Sequence, residues 1–98
     1  MVLAVTDGEL IALLIGHDQV SARLERMYVL DGKQGRGVGG KLLRRALQRA
    51  GSLGYRRVVL DVIAERAAAI RLYERLGFEP ITPYTDYGRP MVFLGRDL

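Results

Sequence analysis

The stretch Gln34-Gly35-Arg36-Gly37-Val38-Gly39-Gly40 decides how this chain is interpreted. It follows a strand-like run, residues 23–30, and it opens an amphipathic helical run that begins at Val38. Glycines let a backbone come close to a ligand, and the first turn of a helix offers unpaired N–H groups and a positive dipole end. The stretch therefore predicts a phosphate-binding loop in front of a helix.

The composition predicts one small globular domain over residues 1–98. Hydrophobic residues at 49% and charged residues at 27% are typical of a soluble protein. No apolar stretch approaches the roughly 20 residues that cross a bilayer, and Met1–Val5 is too short and lacks the basic flank of a signal peptide. The absence of cysteine leaves no disulfide or thiolate metal site and favours a reducing, cytoplasmic location. The net charge of +4 favours an anionic partner, either nucleic acid or a phosphorylated small molecule.

The hydrophobic pattern predicts the element order β-β-β-α-β-α-(β)-β. The expected strands are Val2–Val5, Glu9–Ile15, Val20–Leu30, Arg57–Ile63 and Pro90–Leu94, and the expected helices are Val38–Leu53 and Arg66–Leu76. Gly54 and Gly77 are expected to end the helices, with Phe78 packing back onto the second one. The predicted class is α/β with a mixed central sheet, in which an antiparallel meander precedes a βαβα unit.

Two common phosphate motifs fit the glycine stretch poorly. Gly35, Gly37 and Gly40 form G-x-G-x-x-G, with Asp61 in the place of the acidic residue of a dinucleotide fingerprint. The first glycine does not close the strand directly, however, and the chain is too short for a dinucleotide domain. The run from Gly35 to Lys41 also begins a P-loop, but a leucine follows where a serine or threonine must reach magnesium.

A third pattern, [Q/R]-x-x-G-x-[G/A], is formed by Gln34, Gly37 and Gly39. Residues 69–78, Ala-Ile-Arg-Leu-Tyr-Glu-Arg-Leu-Gly-Phe, resemble a second signature, A-x-x-L-Y-x-x-x-G-F, and residues 24–29 resemble the strand that precedes such a loop. With this strand, this loop and this second signature in the same order along the chain, the sequence resembles the GNAT superfamily of N-acetyltransferases from Met1 to Leu98. The resemblance implies the acyl-CoA N-acyltransferase fold and transfer of an acetyl group from acetyl-CoA to a primary amine, by direct attack on the thioester and without a metal.

The resemblance also implies which residues hold the cofactor. Backbone N–H groups of the loop would surround the pyrophosphate, from Gln34, Gly35, Arg36, Gly37, Val38, Gly39 and Gly40. The exposed backbone of Met27, Tyr28 and Val29 would pair with the pantetheine arm. Arg66, Ala69 and Tyr73 complete the set, although many family members carry an asparagine where this chain has Arg66. The basic helix face of Lys41, Arg44, Arg45 and Arg49 either reaches the adenosine phosphates or is simply solvated.

Tyr73 matches the family's general acid, which protonates the departing thiolate. The general base is less defined, because many family members carry a glutamate where this chain has Arg23. Glu25 lies two residues further on the same strand face and is our candidate base. Tyr84, Asp86 or a chain of water molecules are the alternatives. The segment between Pro80 and Pro90 is expected to border the acceptor, whose identity the sequence leaves open among small amines, amino acids, antibiotics and proteins.

The family's usual opening strand and two helices are missing before Val2. We therefore expect Val2–Val5 to form a sheet edge and the protein to be a homodimer whose partner covers that edge. A non-catalytic module that binds acyl-CoA is the main rival function. A nucleic-acid binder is disfavoured, because no strand face interleaves aromatic and basic residues.

Overall fold

The computed structural model describes residues 2–7, 10–29 and 38–98, with side chains described for residues 14–25 and 40–98. These ranges contain six strands and two helices in the predicted order. The strands are β1 (Val2–Asp7), β2 (Leu10–Gly16), β3 (Ser21–Val29), β4 (Arg57–Ile63), β5 (Glu79–Pro80) and β6 (Met91–Asp97), and the helices are α1 (Val38–Ser52) and α2 (Ala67–Arg75). The predicted phosphate contacts of Gln34, Gly35, Arg36 and Gly37 lie outside the described residues.

The strands form one mixed sheet in the order β1-β2-β3-β4-β6-β5. The first three strands are an antiparallel meander, β3 and β4 are parallel, and β6 is antiparallel to both of its neighbours. This topology confirms the predicted fold class and is incompatible with the doubly wound parallel sheet of the dinucleotide alternative. Within the described part of the chain β1 is an edge strand, as expected.

Helix α1 forms because its apolar residues recur on one side. Its buried residues are Leu42, Leu43, Ala46, Leu47 and Ala50. They pack in one core with Val58 and Leu60 of β4 and with Tyr73 of α2, so both helices lie on the same face of the sheet. Burial of each large apolar side chain stabilises the fold by about 1.5–3 kcal/mol. The predicted basic residues of α1 lie on its other side and are exposed, namely Lys41, Arg44, Arg45 and Arg49.

Both helices end in the same glycine cap. Gly54 and Gly77 have φ values of 90° and 91°, a region in which glycine alone avoids a steric cost. At the end of α2 the Phe78 N–H donates to the Tyr73 carbonyl and the Gly77 N–H donates to the Glu74 carbonyl, both at 3.0 Å. These are the two bonds of a Schellman motif, and the Tyr73 and Phe78 rings supply its apolar contact at 5.7 Å. The cap therefore fixes Tyr73, and the predicted packing of Phe78 is confirmed.

The ends of two strands differ from their predictions by more than one residue, since β1 continues to Asp7 rather than Val5 and β6 to Asp97 rather than Leu94. In β6 the lack of a side chain at Gly95 leaves room for Arg57 and Ile81. A Cβ atom at Gly95 would lie 2.9 Å from both of these side chains. β4 is buried at Val58, Val59 and Leu60 and half-buried from Asp61 to Ile63.

The glycine cap of α2 gives a stability prediction. Gly77→Ala should lower the free energy of unfolding by about 1–2 kcal/mol, because φ is left-handed and the new Cβ would lie 3.0 Å from Arg96 Nε. Gly51→Ala, in the last turn of α1 with no atom within 4 Å of the new Cβ, should instead raise it by up to about 1 kcal/mol. Urea denaturation of both variants checks the sign of each change. Equal midpoints for the two variants would contradict the assigned cap.

Candidate active site

The parallel strands β3 and β4 part in the middle of the sheet. They pair at Ser21↔Arg57, Ala22↔Val58 and Arg23↔Val59 and at no later position, although β3 runs to Val29 and β4 to Ile63 within the described residues. Each strand stays paired with its other neighbour over the parted length. The backbone of β3 beyond Arg23 therefore faces an opening rather than β4, as the family resemblance implies.

β3 contains a β-bulge in the part that does not pair with β4. The pairs Leu13↔Glu25 and Ile11↔Tyr28 leave one more residue on β3 than on β2 between them. Such a bulge bends a strand and increases its twist. Met27, Tyr28 and Val29, the predicted pantetheine contacts, lie in the part of β3 that does not pair with β4.

The second signature segment lies beside the first turns of α1. A Cβ atom at Gly40 would lie 3.7 Å from Leu72 Cδ1 and 3.8 Å from Arg44 Nη1. These are ordinary contact distances, so the packing of α2 does not require a glycine at position 40. The structure thus places Leu72 of the signature helix next to Gly40, near the start of α1.

Tyr73 is buried, with 9% of its surface exposed, and its ring meets Phe78 edge to face. Burial raises the pKa of Tyr73, and the positive charge of Arg66 acts in the opposite direction. The hydroxyl therefore keeps its proton at neutral pH and is available as a donor. Arg66 occupies the N-cap position of α2 without a side-chain capping bond, and its side chain is exposed.

A carboxylate held by two tyrosines lies on the other face of the sheet. The hydroxyls of Tyr84 and Tyr87 donate to the same oxygen of Asp61, Oδ2, at 2.6 and 3.0 Å. Burial raises the pKa of Tyr84, and the hydrogen bond and negative charge of Asp61 add to the effect. Burial also raises the pKa of Tyr87, and its hydrogen bond to Asp61 adds to the effect, so both tyrosines are neutral donors at physiological pH.

A cleft of about 510 Å³ lies across the parted strands on that face. Leu24 and Glu25 line it from β3, and Asp61 and Ile63 line it from β4. Its remaining lining residues are Tyr87, Arg89 and Met91. The candidate base Glu25 does point into the cleft, but it forms an ion pair with Arg23 at 2.8 Å. A second cleft of about 660 Å³ lies on the other side of Tyr84, next to His17 and Arg57.

Tyr84 and Asp86 were the alternatives for the general base. Tyr84 donates a hydrogen bond to Asp61, and Asp86 forms no bond with either residue. Asp86 is exposed and its Oδ1 accepts the Gly88 N–H at 2.8 Å, which closes a turn. His17 is half-buried, and its ring lies edge-on to that of Tyr84 at 4.6 Å.

Sequence reasoning did not assign Asp61 to this site. It considered Asp61 only as the acidic residue of a dinucleotide fingerprint, which the fold excludes. A signal was present nonetheless, because Asp61 is the one charged residue within the apolar run Val58–Ile63. A carboxylate in such a strand needs polar partners, and a segment with two tyrosines follows between Pro83 and Pro90.

Comparisons with known proteins agree with this geometry. A sequence profile described as the acetyltransferase (GNAT) family matches residues 1–78. The chain belongs to this family. It is 39% identical over 77 residues to the uncharacterised N-acetyltransferase YjgM of Escherichia coli K12, and 40% identical over 86 residues to mycothiol acetyltransferase of Beutenbergia cavernae. These matches cover 79% and 86% of this chain.

The chain spans 46% and 29% of the lengths of these two curated relatives. A GNAT family acetyltransferase from Elizabethkingia anophelis, solved with acetyl-CoA bound, superposes with a TM-score of 0.78 at 20% identity. That superposition covers 91% of this chain and 68% of the other, and it shows that the fold is shared. In the described ranges no helix is long and apolar enough to span a membrane, and no three potential ligands among His, Cys, Asp and Glu converge as a metal site.

The raised pKa of Tyr84 predicts how stability depends on pH. Above pH about 10 the unfolded chain releases the phenol proton that the folded chain retains, so stability should fall as the pH rises. Below about pH 10 the Tyr84 phenol is protonated in both the folded and the unfolded chain, so it causes no loss of stability there. Tyr84→Phe should make this alkaline decline shallower, and urea unfolding between about pH 8 and pH 11 measures the slope. Identical slopes for the two proteins would contradict the assigned environment of Tyr84.

Proposed function

We propose that the protein transfers an acetyl group from acetyl-CoA to a primary amine. The observation that carries this proposal is the parting of β3 and β4 after Arg23↔Val59, beside the first turns of α1 and the signature helix α2. Within the described ranges, the backbone of β3 beyond Arg23 pairs with no strand on the side of the gap. Buried backbone groups need a partner, and an extended pantetheine chain with its amide groups would supply one.

The residues present fit the cofactor. Gly40 occupies a helix position where alanine would be more stable by about 1 kcal/mol, and the packing of Leu72 does not demand it. Close approach of a phosphate to the backbone would explain the glycine. In this proposal the residues from Gln34 to Gly40 donate N–H groups to the pyrophosphate, Arg36 and Arg66 add positive charge, and Ala69 borders the cofactor. Met27, Tyr28 and Val29 bind the pantetheine arm through their backbone.

Tyr73 supplies the proton that the departing thiolate needs. Its hydroxyl is neutral at physiological pH because burial raises its pKa, and a neutral phenol close to a developing thiolate acts as a general acid. Glu25 remains the proposed base on β3. It lines the cleft on the face opposite the helices, from which the acceptor amine would approach.

Binding and turnover can be measured separately. CoA at about 100 times its Kd should stabilise the folded protein by about 2.7 kcal/mol, which a melting-temperature shift detects. Free CoA should appear when acetyl-CoA is supplied with a productive acceptor from a panel of amino acids, polyamines, amino sugars and peptides. A melting shift without thiol release from any amine would favour a binding module over an enzyme. Absence of both effects would reject the proposal.

Tyr73→Phe tests the proposed acid. The variant keeps the ring contact with Phe78 and loses only the hydroxyl, so kcat should fall by about ten- to hundredfold while the CoA melting shift is unchanged. Tyr55→Phe is the matched control, because Tyr55 is a half-buried tyrosine that packs against the core at the other end of α1. An unchanged kcat in Tyr73→Phe would remove Tyr73 from the mechanism.

We also propose that the protein is a cytoplasmic homodimer, with β1 of one copy against its partner. Among the described residues β1 pairs on one side only, with β2, and an edge strand with unpaired backbone groups is a template for another chain. Sedimentation velocity at micromolar concentration should give the mass of two chains. A proline introduced at Val5 should shift the distribution towards the monomer, and a single-chain mass for the unmodified protein would contradict the proposal.

A further inference from the structure

The second cleft, of about 660 Å³, holds an arginine that the acetyl transfer described above does not use. Arg57 and Val59 line this cleft from β4, Ser21 lines it from the start of β3, and Tyr84 separates it from Asp61. Because side chains alternate along a strand, Arg57 and Val59 lie on the same face of the sheet as Asp61, opposite to the helices. The second cleft therefore opens on the face from which the acceptor is proposed to approach.

The guanidinium of Arg57 lies across β6 at Gly95. A Cβ atom at Gly95 would lie 2.9 Å from Arg57 Nη2 and 3.1 Å from Nε. Gly95 pairs with Val59, which is the last residue of β4 that pairs with β3 in the described part of the chain. Since neighbouring strands are about 4.8 Å apart, the guanidinium stands level with the closed end of the gap and about one strand spacing to the side of Val59.

The guanidinium of Arg57 has few acceptors of its own. Its Nε is shielded from solvent and forms no hydrogen bond with any described residue. The ion pair between Nε and Asp97 Oδ1 is long, at 3.9 Å, and the side chain of Asp97 is 92% exposed, so water screens the attraction. A polar group that is shielded from water without a partner costs free energy. An anion that enters the cleft would give Arg57 the acceptor that the described residues do not supply.

The charges of the second cleft favour a small anion with a single charge. Among its lining residues that the structure describes, Arg57 is the one arginine or lysine and Asp18 is the one acid. Asp18 is exposed to screening water, and its Oδ1 accepts the N–H groups of Val20 and Ser21 at 2.9 and 2.7 Å, which closes the turn before β3. The other polar groups are the ring of His17 and the hydroxyls of Ser21 and Thr82. The planar fork of one guanidinium matches the two oxygens of a carboxylate.

We propose that Arg57 binds a carboxylate group of the acceptor, so that the acceptor is an amino acid or a related compound with a carboxylate close to its amine. This inference rests on the acetyl transfer proposed above and names the substrate class of that reaction. A nitrogen at the closed end of the gap, beside Val59, would lie roughly one strand spacing, about 5 Å, from the guanidinium. The amine and the carboxylate of a short amino acid span that distance when the carboxylate is bound to Arg57.

Paired acceptors test the inference on the unmodified protein. The probes are the amino acids of the panel, from glycine and β-alanine to L-leucine and L-lysine, each beside its neutral carboxamide, with CoA release as the readout. In at least one pair kcat/KM should be about ten- to hundredfold higher for the acid. Ionisation of the amine works in the opposite direction, because the carboxamide has the less basic nitrogen. If no acid reacts faster than its carboxamide, the inference is overturned.

Arg57→Met tests whether this residue causes the preference. Methionine keeps an apolar stem beside Gly95 and removes the donors, so kcat/KM for the preferred acid should fall by about ten- to hundredfold. The value for its carboxamide and the melting shift with CoA should not change. Arg57→Lys should recover part of the loss, because the charge remains and the planar fork does not. An Arg57→Met protein that prefers the acid as strongly as before would overturn the inference.

Arg56→Met is the matched control, because Arg56 is the exposed neighbour of Arg57 in the sequence and does not line the second cleft. It should keep the full preference for the acid, and a loss equal to that of Arg57→Met would contradict the assignment. The paired acceptors need no variant, so they decide the question even if Arg57→Met does not fold. If the unmodified protein shows no melting shift with CoA, or releases CoA with no amine of the panel, the acetyl transfer itself is rejected. Release of CoA without any preference for an acid rejects the role of Arg57 alone.

Discussion

The loss of pairing between β3 and β4 after Arg23↔Val59 determines the rest of the site. A sheet normally closes such a gap, because each unpaired backbone group that is buried costs free energy. Here both strands are held apart by their outer neighbours, since β3 stays paired with β2 as far as Val29 and β4 with β6 as far as Ile63. The opening is therefore built into the pairing of the sheet.

The helices follow from the same constraint. The parallel strands β3 and β4 require a crossover connection, which contains α1. The apolar face of α1 covers Val58 and Leu60. The cap at Gly77 then ends α2 so that the ring of Tyr73 packs on Phe78. Most of this could be predicted from the sequence, because helical periodicity and glycine caps are local signals. The bounds of α1 and β4 were predicted to within about one residue for this reason.

The acceptor face was less predictable because its contacts join distant parts of the chain. The sequence indicated Glu25 by alternation along β3, which is a local argument. It could not show that Arg23 would neutralise that glutamate, or that Tyr84 and Tyr87 would both donate to Asp61, since those bonds depend on the register of β4 and on the path of the loop after β5. Gly95 is a comparable case, because a side chain at this position would collide with Arg57 and Ile81, which are distant from it in the sequence.

The two carboxylates of the cleft, Glu25 and Asp61, differ in the charge of their partners. Glu25 faces a guanidinium at 2.8 Å, so an incoming ammonium would have to compete with Arg23 for it. Asp61 has two neutral phenols instead, which fix its orientation without cancelling its charge. The two carboxylates thus differ in their partners, a guanidinium for Glu25 on β3 and two phenols for Asp61 on β4, and both line the cleft across the gap between the parted strands. Neither pairing follows from either strand alone, because each depends on how the parted strands are placed.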